Sequence, residues 1–175
     1  MSRINQIQIR YVPVEDRIVL RMNTEDSSEF RFWITRRYAK LLAASLLKLL
    51  RSAGDIQEQK KEEVLKAVMS FQHEEAISKA DFAKTFHAQP KSMPLGNVPV
   101  LLSKLTVKQT EDGNPMLCMY PEQGQGIDLA LQQQLLHSIS KLFADALQTS
   151  EWGVDFNLPI NSVVQHEDEK PLLLN

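Results

Sequence analysis

The chain has a single cysteine, Cys118, so it can form no internal disulfide. That excludes the stapled scaffolds of small secreted proteins and fits a reducing, cytoplasmic setting. It has no apolar run approaching the ~18 residues that read as a membrane span, so no membrane partner is expected. Its first residues, Met1-Ser2-Arg3-Ile4-Asn5-Gln6-Ile7, lack the apolar core of a signal peptide. Histidine is scarce too. His73, His87, His137 and His166 lie far apart and share no metal-ligand spacing, so neither a metal nor a cofactor is expected. Finally, there is no arginine after residue 51.

That last absence leads to what is there. Residues 1–51 hold ten Lys and Arg against five Asp and Glu, about +5; residues 52–175 hold ten against seventeen, about −7. The net charge of −2 therefore hides a divided molecule. Arginine presents a planar fork of donors suited to carboxylate, phosphate and aromatic partners, so its clustering marks the N-terminal part as a place of contact.

The hydrophobic pattern predicts an α+β fold. Ile7, Ile9 and Tyr11 alternate with Gln6, Gln8 and Arg10; Ile18, Leu20 and Met22 with Arg17, Val19 and Arg21; Phe30, Phe32 and Ile34 with Glu29, Arg31 and Trp33. Period two over three segments, broken at Pro13 and at Thr24-Glu25-Asp26-Ser27, predicts an antiparallel β-meander with one greasy face. Thr35 then stands as the N-cap of an amphipathic helix whose stripe is Tyr38, Leu41, Leu42, Leu46, Leu49 and Leu50, stopped at Gly54. This helix is expected to lie on the greasy face of its own meander. Residues 1–54 are thus an arginine-rich βββα unit.

Residues 55–89 read as a polar helical insert, with a fresh N-cap at Ser78 and Asp81. Residues 90–99 hold Pro90, Pro94, Gly96 and Pro99 and read as a linker. Residues 100–160 read as a second, ββα unit: strands over 100–109 and 116–120, then a helix from about Leu129 to Gln148, with residues 152–159 packing back. The turn Thr110-Glu111-Asp112 echoes Thr24-Glu25-Asp26. Residues 161–175 read as a frayed tail. The whole is expected to be one compact domain. Two meander-plus-helix units in one chain resemble the layout of the single-strand-binding Whirly proteins, a likeness of topology that does not establish function.

Three constellations could carry a function. Arg10, Arg17, Arg21, Arg31 and Trp33 share the outer face of the meander, because alternate strand residues point the same way. The face suits an acidic protein partner or a second copy of the chain. Basic residues interleaved with an aromatic also suit single-stranded nucleic acid. The plain alternative is a solvated face with arginines paired to Glu15, Asp16 or Glu29. Two hairpin registers are open. One sets Arg21 opposite Glu29, the other opposite Arg31; opposed like charges are unfavourable, so the first is expected. The second constellation is Thr35-Arg36-Arg37, where arginines at a helix N-terminus could hold an anion. The third is the basic stripe Arg37, Lys40, Lys48 and Arg51 on the helix.

No catalytic residue is assigned. His137, Lys141 and Asp145 follow at i, i+4 and i+8, the spacing of the polar side of a helix. Cys118 reads as a buried thiol, and Gly124-Gln125-Gly126 as a turn rather than a phosphate loop. The expectation is a non-catalytic, cytoplasmic interaction or adaptor protein, self-associating through the arginine and tryptophan face. The alternatives are a nucleic-acid binder using that face and an anion-binding enzyme or sensor.

Overall fold

The computed structural model describes residues 3–52, 70, 71, 74, 75, 86 and 90–158. Most of the insert expected at 55–89, including the cap at Ser78 and Asp81, and the tail at 161–175 lie outside the described residues.

The three alternating segments are strands: β1 (Ile4–Val12), β2 (Arg17–Thr24) and β3 (Glu29–Ile34), antiparallel in sequence order. Pro13 has no N–H to give a ladder, and the chain leaves β1 there in one tight turn, Pro13–Glu15, closed by Asp16 in the left-handed region at φ 47°. α1 (Arg36–Ser52) follows β3 directly, and the Thr35 hydroxyl accepts the Tyr38 N–H at 3.3 Å as its N-cap. It buries Tyr38, Leu42, Leu46 and Leu49, one helical stripe.

The 90–99 segment is more than a linker. It pairs with the outer edge of β3 near its start, where the Glu29 N–H donates to the Ser92 carbonyl at 2.9 Å. It leads into β4 (Val100–Leu101), which pairs in parallel with Phe32 and Trp33. The strand expected over 100–109 is therefore split. Its first two residues complete the first sheet, Leu102 is buried, and β5 (Lys104–Gln109) belongs to a second sheet.

That second sheet has one strand more than the pattern suggested. β5, β6 (Pro115–Tyr120) and β7 (Ile127–Ala130) form an antiparallel meander, and α2 (Gln133–Ser150) starts four residues later than expected. Both units thus run βββα. The echoed Thr-Glu-Asp turns do not coincide, however. One joins the second and third strands of its unit, the other the first and second.

The core is one cluster drawn from both sheets, both helices and residues 152–156. The buried stripe of α1 and the greasy face of its own meander belong to that cluster, and the two units also meet: α2 runs against β1, and α1 approaches β5 and α2. The Tyr38 hydroxyl donates to the Lys104 carbonyl at 3.2 Å. The chain after α2 packs back as expected. Trp152 and Phe156 are buried, and the Trp152 Nε1–H donates to Asp16 Oδ1 at 2.7 Å, 136 residues away in sequence. The two units are thus tied together through α2, Trp152 and Tyr38.

Candidate interaction face

The outer face of the first sheet carries Gln6, Gln8 and Arg10 from β1, Arg17, Val19, Arg21 and Asn23 from β2, Glu29, Arg31 and Trp33 from β3, and Leu101 from β4. The hairpin register is the one not expected: Arg21 stands opposite Arg31, and Asn23 opposite Glu29. The turn chemistry fits this register. The Thr24 N–H and hydroxyl both donate to the Ser28 carbonyl, and Ser27 takes the left-handed conformation that closes the turn.

The like charges do not stand uncompensated. One oxygen of Glu29, Oε1, lies 2.8 Å from the Arg21 Nη2 and 2.7 Å from the Arg31 Nε. Glu29 is diagonal to Arg21 and two residues from Arg31, so it bridges a pair that would otherwise repel. Its residue is 2 % exposed. Burial alone would raise its carboxyl, but the hydrogen bonds and charges of Arg31 and Arg21 outweigh that and hold it below its ordinary value. Arg21 also donates to Gln8 at 3.3 Å, and its guanidinium lies 4.5 Å from the ring centre of Phe86. Its side chain is 18 % exposed and that of Arg31 25 %.

The face therefore divides. At one end, Arg21 and Arg31 are committed to Glu29, with Phe86 over Arg21. At the other, Arg10 is exposed, Arg17 is half-exposed with a long 3.9 Å pairing to Glu15, and Trp33 is partly exposed. Val19 is buried between them. Pairing of β4 sets Leu101, 46 % exposed, beside Trp33, and Val98 just before it is 76 % exposed. Leu101 and Val98 escaped sequence reasoning because the parallel pairing of β4 is non-local.

The other constellations separate. Thr35 is spent on capping α1, while Arg36 and Arg37 are exposed. Arg36 helps to lower the Asp16 carboxyl, after the hydrogen bonds from Trp152 and Tyr11. Arg37, Lys40, Lys48 and Arg51 are all exposed on α1. His137 is not on the polar side of α2 but buried, which holds its imidazole below the ordinary value; Lys141 and Asp145 form an exposed ion pair at 2.9 Å. Cys118 is buried as expected, and burial, then the Asp128 carboxylate, push its thiol up to about 11, which makes it a poor nucleophile at neutral pH.

Among the described residues, no helix is long and apolar enough to cross a membrane. No family model, curated protein or solved structure matches the chain.

Proposed function

We propose that this chain is a non-catalytic, cytoplasmic interaction module that docks on an acidic protein surface, on a second copy or on a different protein. The docking end is Arg10, Arg17, Trp33 and Leu101. The observation that carries this reading is the partly exposed Trp33 beside the exposed Leu101, with cations flanking them. Tryptophan and arginine are the residues most enriched where binding energy concentrates, and a charged rim tunes rate and specificity. The −7 balance of residues 52–175 gives a second copy the complementary sign.

Single-strand binding by the same face is the competing reading. Against it, Arg21 and Arg31 have their charge shared with Glu29, which leaves Arg10, and Arg17 with its long pairing to Glu15, as the more available cations of the face. Phosphate-driven binding grows with the number of cations released to it.

The test is sedimentation velocity at low and high salt, with and without a labelled single-stranded oligonucleotide, on the parent chain and on Trp33→Ala with Arg10→Ala. Association of the parent that the double variant loses, with unchanged circular dichroism, supports the docking end. An oligonucleotide shift that fades steeply with salt replaces this reading with the nucleic-acid one. A double variant that associates like the parent removes Trp33 and Arg10 from the contact.

A further inference from the structure

The second sheet has an open side. β5 pairs with β6, and no described residue pairs with its outer edge. Five of its six residues are exposed. An edge strand offers a row of backbone donors and acceptors to any strand that can lie beside it.

The side chains of β5 sharpen this. Leu105 and Val107 are on the core-facing side, in register with Met119 and Leu117 of β6. The row Leu129, Leu117, Val107 crosses the sheet; its first two members are buried, whereas Val107 is 41 % exposed. An apolar row thus runs to the edge and stops there uncovered. The first residue of the strand is already engaged, since the Lys104 carbonyl accepts the Tyr38 hydroxyl. The open stretch is Leu105 to Gln109, and its centre is Val107.

We propose that β5 pairs antiparallel with β5 of a second copy about a two-fold axis at Val107, joining two three-stranded sheets into one of six strands. This surface is distinct from the Trp33 docking end and does not depend on it. The register follows from charge. Centring on Thr106 would set Lys104 opposite Lys108, an unfavourable pair. Centring on Val107 sets Val107 opposite Val107, Thr106 opposite Lys108 and Leu105 opposite Gln109, with no like charges opposed. It continues the apolar row from one copy into the next. It also brings Lys104, whose exposed ammonium meets Glu122 of its own chain at 3.6 Å, toward the exposed acidic turn of the other copy, Glu111 and Asp112. A second copy is therefore the occupant that matches both the apolar row and the charges. Such a contact is isologous and closes at two copies. Five paired residues a side make a small interface, so the dimer forms with rising concentration.

Cysteine cross-linking tests the axis. Cys118 is buried, so an introduced surface thiol is the reactive one. Val107→Cys, mildly oxidised, should become a disulfide-linked dimer on a non-reducing gel. Gln109→Cys, equally near the edge but opposite Leu105, should stay unlinked. Sedimentation equilibrium of the parent should show a monomer–dimer equilibrium that Val107→Lys abolishes with circular dichroism unchanged. Trp33→Ala with Arg10→Ala, combined with Val107→Cys, should still cross-link, which separates this surface from the docking end. A parent that stays monomeric across concentration, equal linking of both cysteine variants, or a dimer that survives Val107→Lys overturns the proposal.

Discussion

Glu29 holds two guanidiniums on one carboxylate oxygen, on a face where arginines from neighbouring strands stand directly opposite. Breaking a buried charge group by removing one partner typically costs about 3–5 kcal/mol, because the rest is left uncompensated. Arg21 and Arg31 keep some contact with water, so Glu29→Gln should fall near the lower end, about 3 kcal/mol, read as the shift in a urea melt. The pH dependence has a definite sign. The folded carboxyl titrates below its ordinary value, so its contribution is present above that value and is lost as pH falls through the folded one. The parent should lose stability below about pH 4.3, and Glu29→Gln should lose less over the same range. This residue also marks a limit of sequence reasoning. The repulsion between Arg21 and Arg31 was legible and its energetics were sound. What the pattern did not disclose was a diagonal acceptor, which lets the unfavourable register win. Of the five residues expected on the face, Arg21 and Arg31 are committed to Glu29, and the apolar residue beside Trp33, Leu101, stands 68 residues further along the chain.

At the scale of elements, long periodic segments were legible and short or ambiguous ones were not. The first meander alternates over three segments, and α1 carries a stripe over four turns. β7 is four residues long, and its Ile127, Leu129 and Leu131 run straight into Leu135 and Leu136 of α2. Leucines there serve both periods, so the strand was absorbed into the helix. What makes β7 possible is Gly126. A Cβ there would lie 2.1 Å from the Met119 carbonyl oxygen and 2.7 Å from the Tyr120 Cα. Both are backbone atoms that cannot swing aside. Gly126→Ala should therefore force β7 away from β6 and destabilise the fold by roughly 1–3 kcal/mol, the range for overpacking, while Gly124→Ala acts through its positive φ alone. Denaturant midpoints of the two variants, with hydrogen exchange at Met119, give the comparison. α2 carries the second element-scale expectation. His137 is buried and held neutral, so charging it opposes folding. The unfolded chain binds that proton first. Stability is then complete above about pH 6.5 and falls as pH drops below it. His137→Gln should show a flatter thermal midpoint between pH 6.5 and 5 than the parent, whatever its absolute stability.

For the whole molecule, the α+β class and the two-unit order were legible because they rest on local periodicity. The contacts between units, α2 against β1 above all, were not, because nothing local says which strand of another unit a helix will meet. The first unit contributes β1 and the αL residue Asp16; the second contributes α2 and Trp152, which meet them. Tyr11 lies edge-on to Trp152 with ring centres 5.7 Å apart, and Phe143 edge-on to Phe156 at 5.4 Å. Removing the second unit would thus strip β1 of its helix, Asp16 of its indole donor and Tyr38 of its acceptor at Lys104. A fragment of residues 1–54 contains a complete βββα pattern, and a reading of independent units would have it fold. The shared core argues the reverse. Losing one large buried aromatic costs about 3–5 kcal/mol, and the fragment forfeits Phe143, Trp152 and Phe156 together, against a typical total stability of about 5–15 kcal/mol. The expected outcome is that residues 1–54 alone show no cooperative thermal transition by circular dichroism, whereas the same segment mixed with residues 90–175 regains one. A sharp melt of the isolated fragment would mean that α1 and its own meander suffice, and that the contacts between units add stability without being needed for the fold.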